Sequence, residues 1–234
     1  MNKSSLILLK RKFKKLGCEN KYLCFVFKKL GILKYFGFPD GPVIRKAPAC
    51  DYIFIRLHRV AGTSTAAALD IEKQHFTSRE AINAIGKKAW DETFKFAMVR
   101  NPFSKLVSTY NHFPKNDRFQ MKSNPIPFDV WIKKLFGDKK DPMYYFSVKF
   151  FQPQFDWLKD DNDKISLDRI VRHENLTEEF NQVLSAIGVN TRIPHLNQSK
   201  KVDYRNYYNE ESYDLVKQWH KKDLDAFGYT FDNG

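Results

Sequence analysis

Twice in this chain an apolar run of strand length passes straight into a helical pattern, once at residues 54–65 (FIRLHRVAGTST) and again at 94–110 (FKFAMVRNPFSKLVSTY). In the first, a short loop with one glycine leads to Thr63 and Ser64 at the head of an Ala-rich helix. In the second, Asn101 or Pro102 opens the helix, where the missing proline N–H is no loss. The rest of the pattern continues the alternation. Strands are expected at 52–57, 94–99 and 169–172, and helices at 62–72, 78–85, 128–135, 151–158, 176–187 and 210–226, with one more running on from Pro102. Strands alternating with helices predict an α/β fold of three layers, a central parallel sheet flanked by helices.

The net charge of +13 invites a nucleic-acid reading, so its distribution matters. Residues 1–50 hold twelve Lys or Arg against Glu19 and Asp40, a net of +10, which leaves the remainder of the chain at only +3. A nearly neutral body argues against a nucleic-acid partner. Within the basic stretch, Leu6, Leu9, Phe13 and Leu16 share one helical face, as do Leu23, Val26, Leu30 and Leu33, each set beside lysines. Such a face over residues 1–36 either lies in an anionic membrane surface or docks on the rest of the protein. Pro39, Gly41, Pro42 and Pro48 read as a linker. The expected division is therefore a basic amphipathic helical appendage and linker at 1–50 and the main domain at 51–234.

Cys18, Cys24 and Cys50 are odd in number and match no zinc spacing, so neither a disulfide framework nor a metal site is expected. Reduced thiols fit a cytoplasmic setting. The apolar run Leu6 to Leu9 is far below the ~20 residues of a membrane span, and no cleavage pattern follows it. A cytoplasmic protein, peripheral at the inner membrane surface if the basic helices bind lipid, is the expected setting.

The 54–65 segment offers backbone N–H groups, the positive end of a helix dipole and two hydroxyls to an anion. The same outline also occurs with no ligand at all. A nucleotide triphosphatase loop requires Gly, four residues, then Gly-Lys and a hydroxyl residue. Here Leu57 occupies the first glycine's place and no Lys separates Gly62 from Thr63, so the ATP-binding form fails. In 94–110, Arg100 ends the strand and Ser108 stands two helical turns further on. A planar guanidinium backed by a hydroxyl suits a second anionic group, and a salt-bridged structural Arg is the alternative.

Taken together, these segments resemble the membrane-associated carbohydrate sulfotransferase family, which includes glycosaminoglycan 2-O-sulfotransferases and bacterial relatives. The family's Pro-Lys-Thr-Gly/Ala-Gly-Thr-Ser motif is similar to His58, Arg59, Val60, Ala61, Gly62, Thr63 and Ser64. Its Val-Arg-Asn-Pro leading to Ser-x-Tyr is matched by Val99 to Pro102 with Ser108 and Tyr110. Residues 172–176 (RHENL), 193–200 (IPHLNQSK) and 223–231 (DLDAFGYTF) also look like the family, so the resemblance runs from about residue 52 to the end. It implies a P-loop-like fold binding 3'-phosphoadenosine 5'-phosphosulfate (PAPS), with no metal. The first loop, Arg59 to Ser64, would hold the 5'-phosphosulfate, Arg100 and Ser108 the 3'-phosphate, and Lys200 would add a contact. Two departures stand out: Arg59 where the family has Lys, which spreads the charge over a planar fork, and His58 where it has Pro.

Sulfuryl transfer asks for an acceptor oxygen in line with the leaving oxygen and for stabilisation of charge moving onto the leaving phosphate. Arg59 is the candidate for that stabilisation. His75, matching a His-containing turn beside the acceptor cleft in relatives, is the candidate base, with His58 and Glu72 as runners-up. The expected reaction is sulfuryl transfer to a carbohydrate hydroxyl. A protein tyrosine or a small metabolite is the alternative acceptor, and a kinase or a basic binding module is the competing class. Residues 111–151 are expected to build the acceptor cleft, where aromatic side chains from Phe128 to Phe151 either stack on sugar rings or fill the core.

Overall fold

The computed structural model describes residues 43–116, 121–194 and 203–234. Strands β1 (Tyr52–Ile55), β2 (Phe94–Val99) and β3 (Arg169–Arg172) form a parallel sheet in that order. Phe54 stands opposite Phe96, and Val99 opposite Arg172. Parallel neighbours cannot be joined by a tight turn, so each step crosses over through helices. Helices α1 (Gly62–Ala68), α2 (Ser78–Ile85) and α3 (Lys87–Glu92) lie between β1 and β2. Helices α4 (Pro102–Tyr110), α5 (Phe128–Phe136), α6 (Val148–Phe151) and α7 (Gln154–Leu158) lie between β2 and β3. After β3 come α8 (Leu176–Ile187), α9 (Glu210–Trp219) and α10 (Lys221–Phe227). This is the mixed α/β architecture that the alternation predicts, a parallel sheet flanked by helices.

Burial explains why the first two strands read as unbroken apolar runs. All of β1 and every residue of β2 after Phe94 are buried, as in a sheet covered on both faces. The interruption at Lys95 is compensated, because its ammonium donates to the Thr93 carbonyl at 2.6 Å and pairs with Asp168 at 3.0 Å. Around the sheet, Phe96 stacks on Phe54 at 4.8 Å and packs against Phe180, with Trp90 fully buried nearby. A second apolar cluster joins α4, α5 and α9 through Phe103, Trp131, Phe151 and Val216.

Several boundaries shift for local reasons. Helix α1 ends at Ala68, and the chain turns at Asp70 with φ 48. The helix expected at 151–158 is divided into α6 and α7 because Gln152 and Pro153 are extended, Pro being unable to sit inside a helix. The helix expected at 210–226 breaks at His220, a buried residue whose ring is tied to Asp223 at 3.1 Å. Helix α3 is short and was not expected. Val43 already belongs to the core, Arg45 pairs with Tyr52 across an antiparallel bridge, and the Ala49 N–H donates to the Ile187 carbonyl. The two basic amphipathic helices expected before residue 36 lie outside the described residues.

That last contact makes a quantitative prediction. Gly188 and Gly228 both end helices in the left-handed region, with φ 71 and φ 67. Any L-residue there costs about 1–2 kcal/mol. A Cβ on Gly188 would also meet Ala49 Cβ and N at 2.9 Å, whereas one on Gly228 meets nothing within 4 Å. Urea unfolding should therefore show Gly188→Ala losing a further ~1–3 kcal/mol over Gly228→Ala. Equal losses would mean that residues 43–50 are not firmly packed against α8.

Candidate active site

The first loop is organised by a residue that the motif does not contain. Arg56 follows β1 and is buried. Its Nε donates to the Gly62 carbonyl at 3.0 Å, Nη2 to Thr63 Oγ1 at 3.1 Å, and Nη1 to His75 Nε2 at 2.7 Å. The glycine at 62 is required by this side chain and not by backbone conformation, since a Cβ there would meet Arg56 Cγ and Nε at 2.9 Å. The left-handed positions fall instead on Arg59, φ 64, and Ala61, φ 62. Each costs about 1–2 kcal/mol in a non-glycine residue and persists only where neighbours hold it. Val60, fully buried between them, is one such anchor.

His75 is held at both nitrogens. Its Nδ1 donates to the Arg56 carbonyl at 3.0 Å, so the Nε2 facing the guanidinium is the lone-pair nitrogen of a neutral ring. The ring stacks on His58 at 3.9 Å, and His58 in turn meets Phe150 at 4.5 Å and the edge of Trp157 at 5.5 Å. Burial, with His75 and nearby cations adding to it, keeps His58 uncharged, its pKa lowered to about 2. Lys149 donates to the His75 carbonyl at 3.2 Å, pairs with Glu80 and lies 5.0 Å over the Trp157 ring.

The second loop is clamped from three sides. The side chain of Gln154, fully buried, accepts from the Arg100 N–H at 3.0 Å and donates to the Arg100 carbonyl at 2.7 Å. Glu174 accepts from the Asn101 N–H at 2.9 Å and from the Tyr229 hydroxyl at 2.9 Å. Asn101 caps α4 by accepting from the Phe103 N–H at 3.0 Å, and its amide donates to the Thr230 carbonyl at 2.7 Å. Arg100 Nε donates to Ser104 Oγ at 2.7 Å. Burial lowers the Arg100 pKa to about 10, with Glu174 opposing and Arg59 adding to the effect; the guanidinium stays charged.

The two loops meet. Arg59 Nη2 donates to Ser108 Oγ at 2.9 Å and to the Ser108 carbonyl at 3.0 Å. One cleft of about 1750 Å³ is lined by residues 59–64, His75, Arg100 and Ser108. The expected site residues 59–64, His75, Arg100 and Ser108 and the runner-up His58 are thus in that cleft, Glu72 does not line it, and Lys200 lies outside the described residues. Arg56, Gln154 and Glu174 were missed. Arg56 had a signal, since a cation in an apolar run that becomes buried must be paired. Gln154 had none, because its role is to pair with a peptide group 54 residues away. Among the described residues, no three His, Cys, Asp or Glu form a metal-binding group.

Two arginine-bearing loops in one cleft narrow the chemistry, and comparison with known proteins decides the family: the sulfotransferase family profile matches residues 3–230. The chain belongs to the sulfotransferase family. Its chemistry is sulfuryl transfer, and family membership implies PAPS as the sulfate donor. This sulfotransferase is also 31% identical over 109 residues to a protein of Archaeoglobus fulgidus described as uncharacterized, a match covering 46% of this chain and 78% of that one. No solved structure matches it.

The clamp on the second loop can be tested by removing one strut. Gln154→Leu leaves the Arg100 N–H and carbonyl without their partners, at about 1–3 kcal/mol for each buried group. Urea unfolding should register a loss of at least ~2 kcal/mol. A loss below ~0.5 kcal/mol, the range of ordinary surface substitutions, would show that Gln154 does not brace the loop.

Proposed function

We propose that this sulfotransferase transfers a sulfuryl group from PAPS to a carbohydrate hydroxyl by in-line displacement, with His75 as general base. The observation that carries the reading is the single cleft holding the 59–64 loop and Arg100 together, joined by the Arg59–Ser108 hydrogen bonds. A donor with phosphates on two sides of its ribose needs two anion receptors at a fixed separation, which is what a P-loop-like strand–loop–helix at residues 52–68 and a second arm at 94–110 supply.

When bound, the donor supplies a sulfuryl group whose bond to the 5'-phosphate oxygen breaks as the acceptor oxygen attacks. Arg59, with the N–H groups of Gly62 to Ser64, stabilises charge growing on the leaving phosphate. Arg100 and Ser108 hold the 3'-phosphate end. His75 Nε2 takes the acceptor proton, and for that the Arg56 guanidinium, now donating to the same nitrogen, gives way to the acceptor hydroxyl. Among the aromatic residues of the 111–151 region, Phe128, Phe136, Tyr144 and Phe151 belong to the core, whereas Phe146 and Phe150 line the cleft, Phe150 against His58. Aromatic side chains in the cleft that holds the candidate base favour a ring-shaped acceptor such as a sugar.

Three outcomes are expected. Adenosine 3',5'-bisphosphate at about a hundred times its Kd should raise unfolding stability by about 2.7 kcal/mol, and ATP should not; protection by ATP alone would overturn the reading of the cleft as a PAPS site. Arg100→Ala should weaken bisphosphate binding by at least ~1.5 kcal/mol, or about tenfold in Kd. In a screen with labelled donor, His75→Ala should lower turnover on the identified glycan about 10²–10⁴-fold. Turnover near the wild-type rate would remove His75 as the base.

A further inference from the structure

Arg59 belongs by sequence to the first loop, yet its guanidinium rests on the second. Nη2 sits 2.9 Å from Ser108 Oγ and 3.0 Å from the Ser108 carbonyl. Its Nε is shielded from solvent and has no hydrogen-bond partner among the described residues. Arg100, which follows β2 just ahead of the same helix, is close enough that the Arg59 charge adds to the lowering of its pKa. His173, just after β3, lines the same part of the cleft and is kept neutral, its pKa lowered to about 3 by burial, then by Arg100 and Arg59. The countercharge nearby is Glu174, and both its oxygens are engaged, one by the Asn101 N–H and the other by the Tyr229 hydroxyl.

Two guanidiniums brought together out of water repel, and the repulsion grows as the surroundings become less polar. A dianion placed between them reverses the sign of that interaction. An arginine is suited to this position as a lysine is not. Its fork can keep one corner on Ser108 while the remaining N–H groups turn to a phosphate, whereas an ammonium offers its donors from a single atom.

We propose that Arg59 joins Arg100 and Ser108 as a receptor for the nucleotide 3'-phosphate, so that selectivity for a 3'-phosphorylated donor depends on a residue of the first loop. The inference rests on the reading that the cleft takes PAPS. It gives the replacement of the family's lysine a purpose: Arg59 senses the 3' end of the donor instead of the departing 5'-phosphate, whose charge is then left to the N–H groups of Gly62 to Ser64 on the same loop, and a nucleotide lacking the 3'-phosphate leaves Arg59 bound to Ser108.

The test is a comparison of two nucleotides by titration calorimetry on the full chain. Adenosine 3',5'-bisphosphate and adenosine 5'-monophosphate are titrated into the wild type, Arg59→Ala, Arg59→Lys and Ser108→Ala, with urea midpoints confirming that each variant is folded. The ratio of the two affinities should fall at least ~10-fold in Arg59→Ala, equivalent to about 1.4 kcal/mol. Arg59→Lys should recover only part of the ratio, and Ser108→Ala should reduce it as well. If Arg59→Ala weakens both nucleotides by the same factor, the residue serves only the 5' end and the proposal is overturned. If the wild type itself shows no preference for the bisphosphate, the donor reading fails first and takes this inference with it.

Discussion

Parallel pairing of β1 with β2 is the constraint from which the site follows. With Ile55 opposite Ala97, the two strands finish at the same edge of the sheet and deliver both cationic loops there. Strand β3 extends the same geometry, since Arg172 stands opposite Val99 and His173 and Glu174 emerge beside the second loop. Ligand sites in open α/β sheets form outside the carboxyl ends of the strands for this reason: every strand ends with unpaired backbone and a helix about to begin. An antiparallel partner would have sent one loop to the far side of the molecule, and no choice of side chains would have restored a shared cleft.

A polar framework beneath the cleft makes that edge stiff. Asp223, fully buried, accepts from the Phe155 N–H at 2.8 Å and from His220 Nδ1 at 3.1 Å, with the Gln154 amide at 3.4 Å. Gln154 carries the connection to the Arg100 peptide, so the C-terminal helix α10, helix α7 and the end of β2 form one hydrogen-bonded unit. Lys105 is buried in the same region and its pKa falls to about 8, burial outweighing the attraction of Asp223. Buried hydrogen bonds of this kind restrain the groups that make them, because a dry interior offers few alternative partners; His220 Nε2 is the one ring atom here that is buried without a partner among the described residues. Their existence gives a physical role to the 172–176 and 223–231 stretches: Glu174, Asp223 and Tyr229 hold the second loop in place.

The opposite loop keeps its shape by strain and bracing. Arg59 and Ala61 occupy left-handed conformations without being glycine, while the glycine in the loop is spent on letting the Arg56 side chain approach. Local rules are broken where the surroundings over-determine the backbone, and such places concentrate at functional sites. Here the determinant is the Arg56 guanidinium, whose three bonds tie Gly62, Thr63 and His75 to the end of β1.

Much of this was legible in the residue order. Strand and helix periodicity located β2, β3, α2 and α8 to the residue, because periodicity and capping are local properties, while β1 and α1 at the Gly-Thr-Ser turn end earlier than expected. The same locality marked Arg59, Gly62, Arg100 and Ser108 as chemical groups worth watching, while His75 came from the family resemblance. Helix breaks at Pro153 and His220 were harder: the first is a local rule overlooked within a periodic run, the second is imposed by a buried ring bonded to Asp223. Sequence alone thus determined the mixed α/β class and which polar groups stand at the ends of its strands. Only the tertiary structure decided which groups touch, pairing Arg56 with His75 across 19 residues and Arg59 with Ser108 across 49, because side-chain contacts between separate elements depend on strand order and crossover geometry that no local pattern encodes.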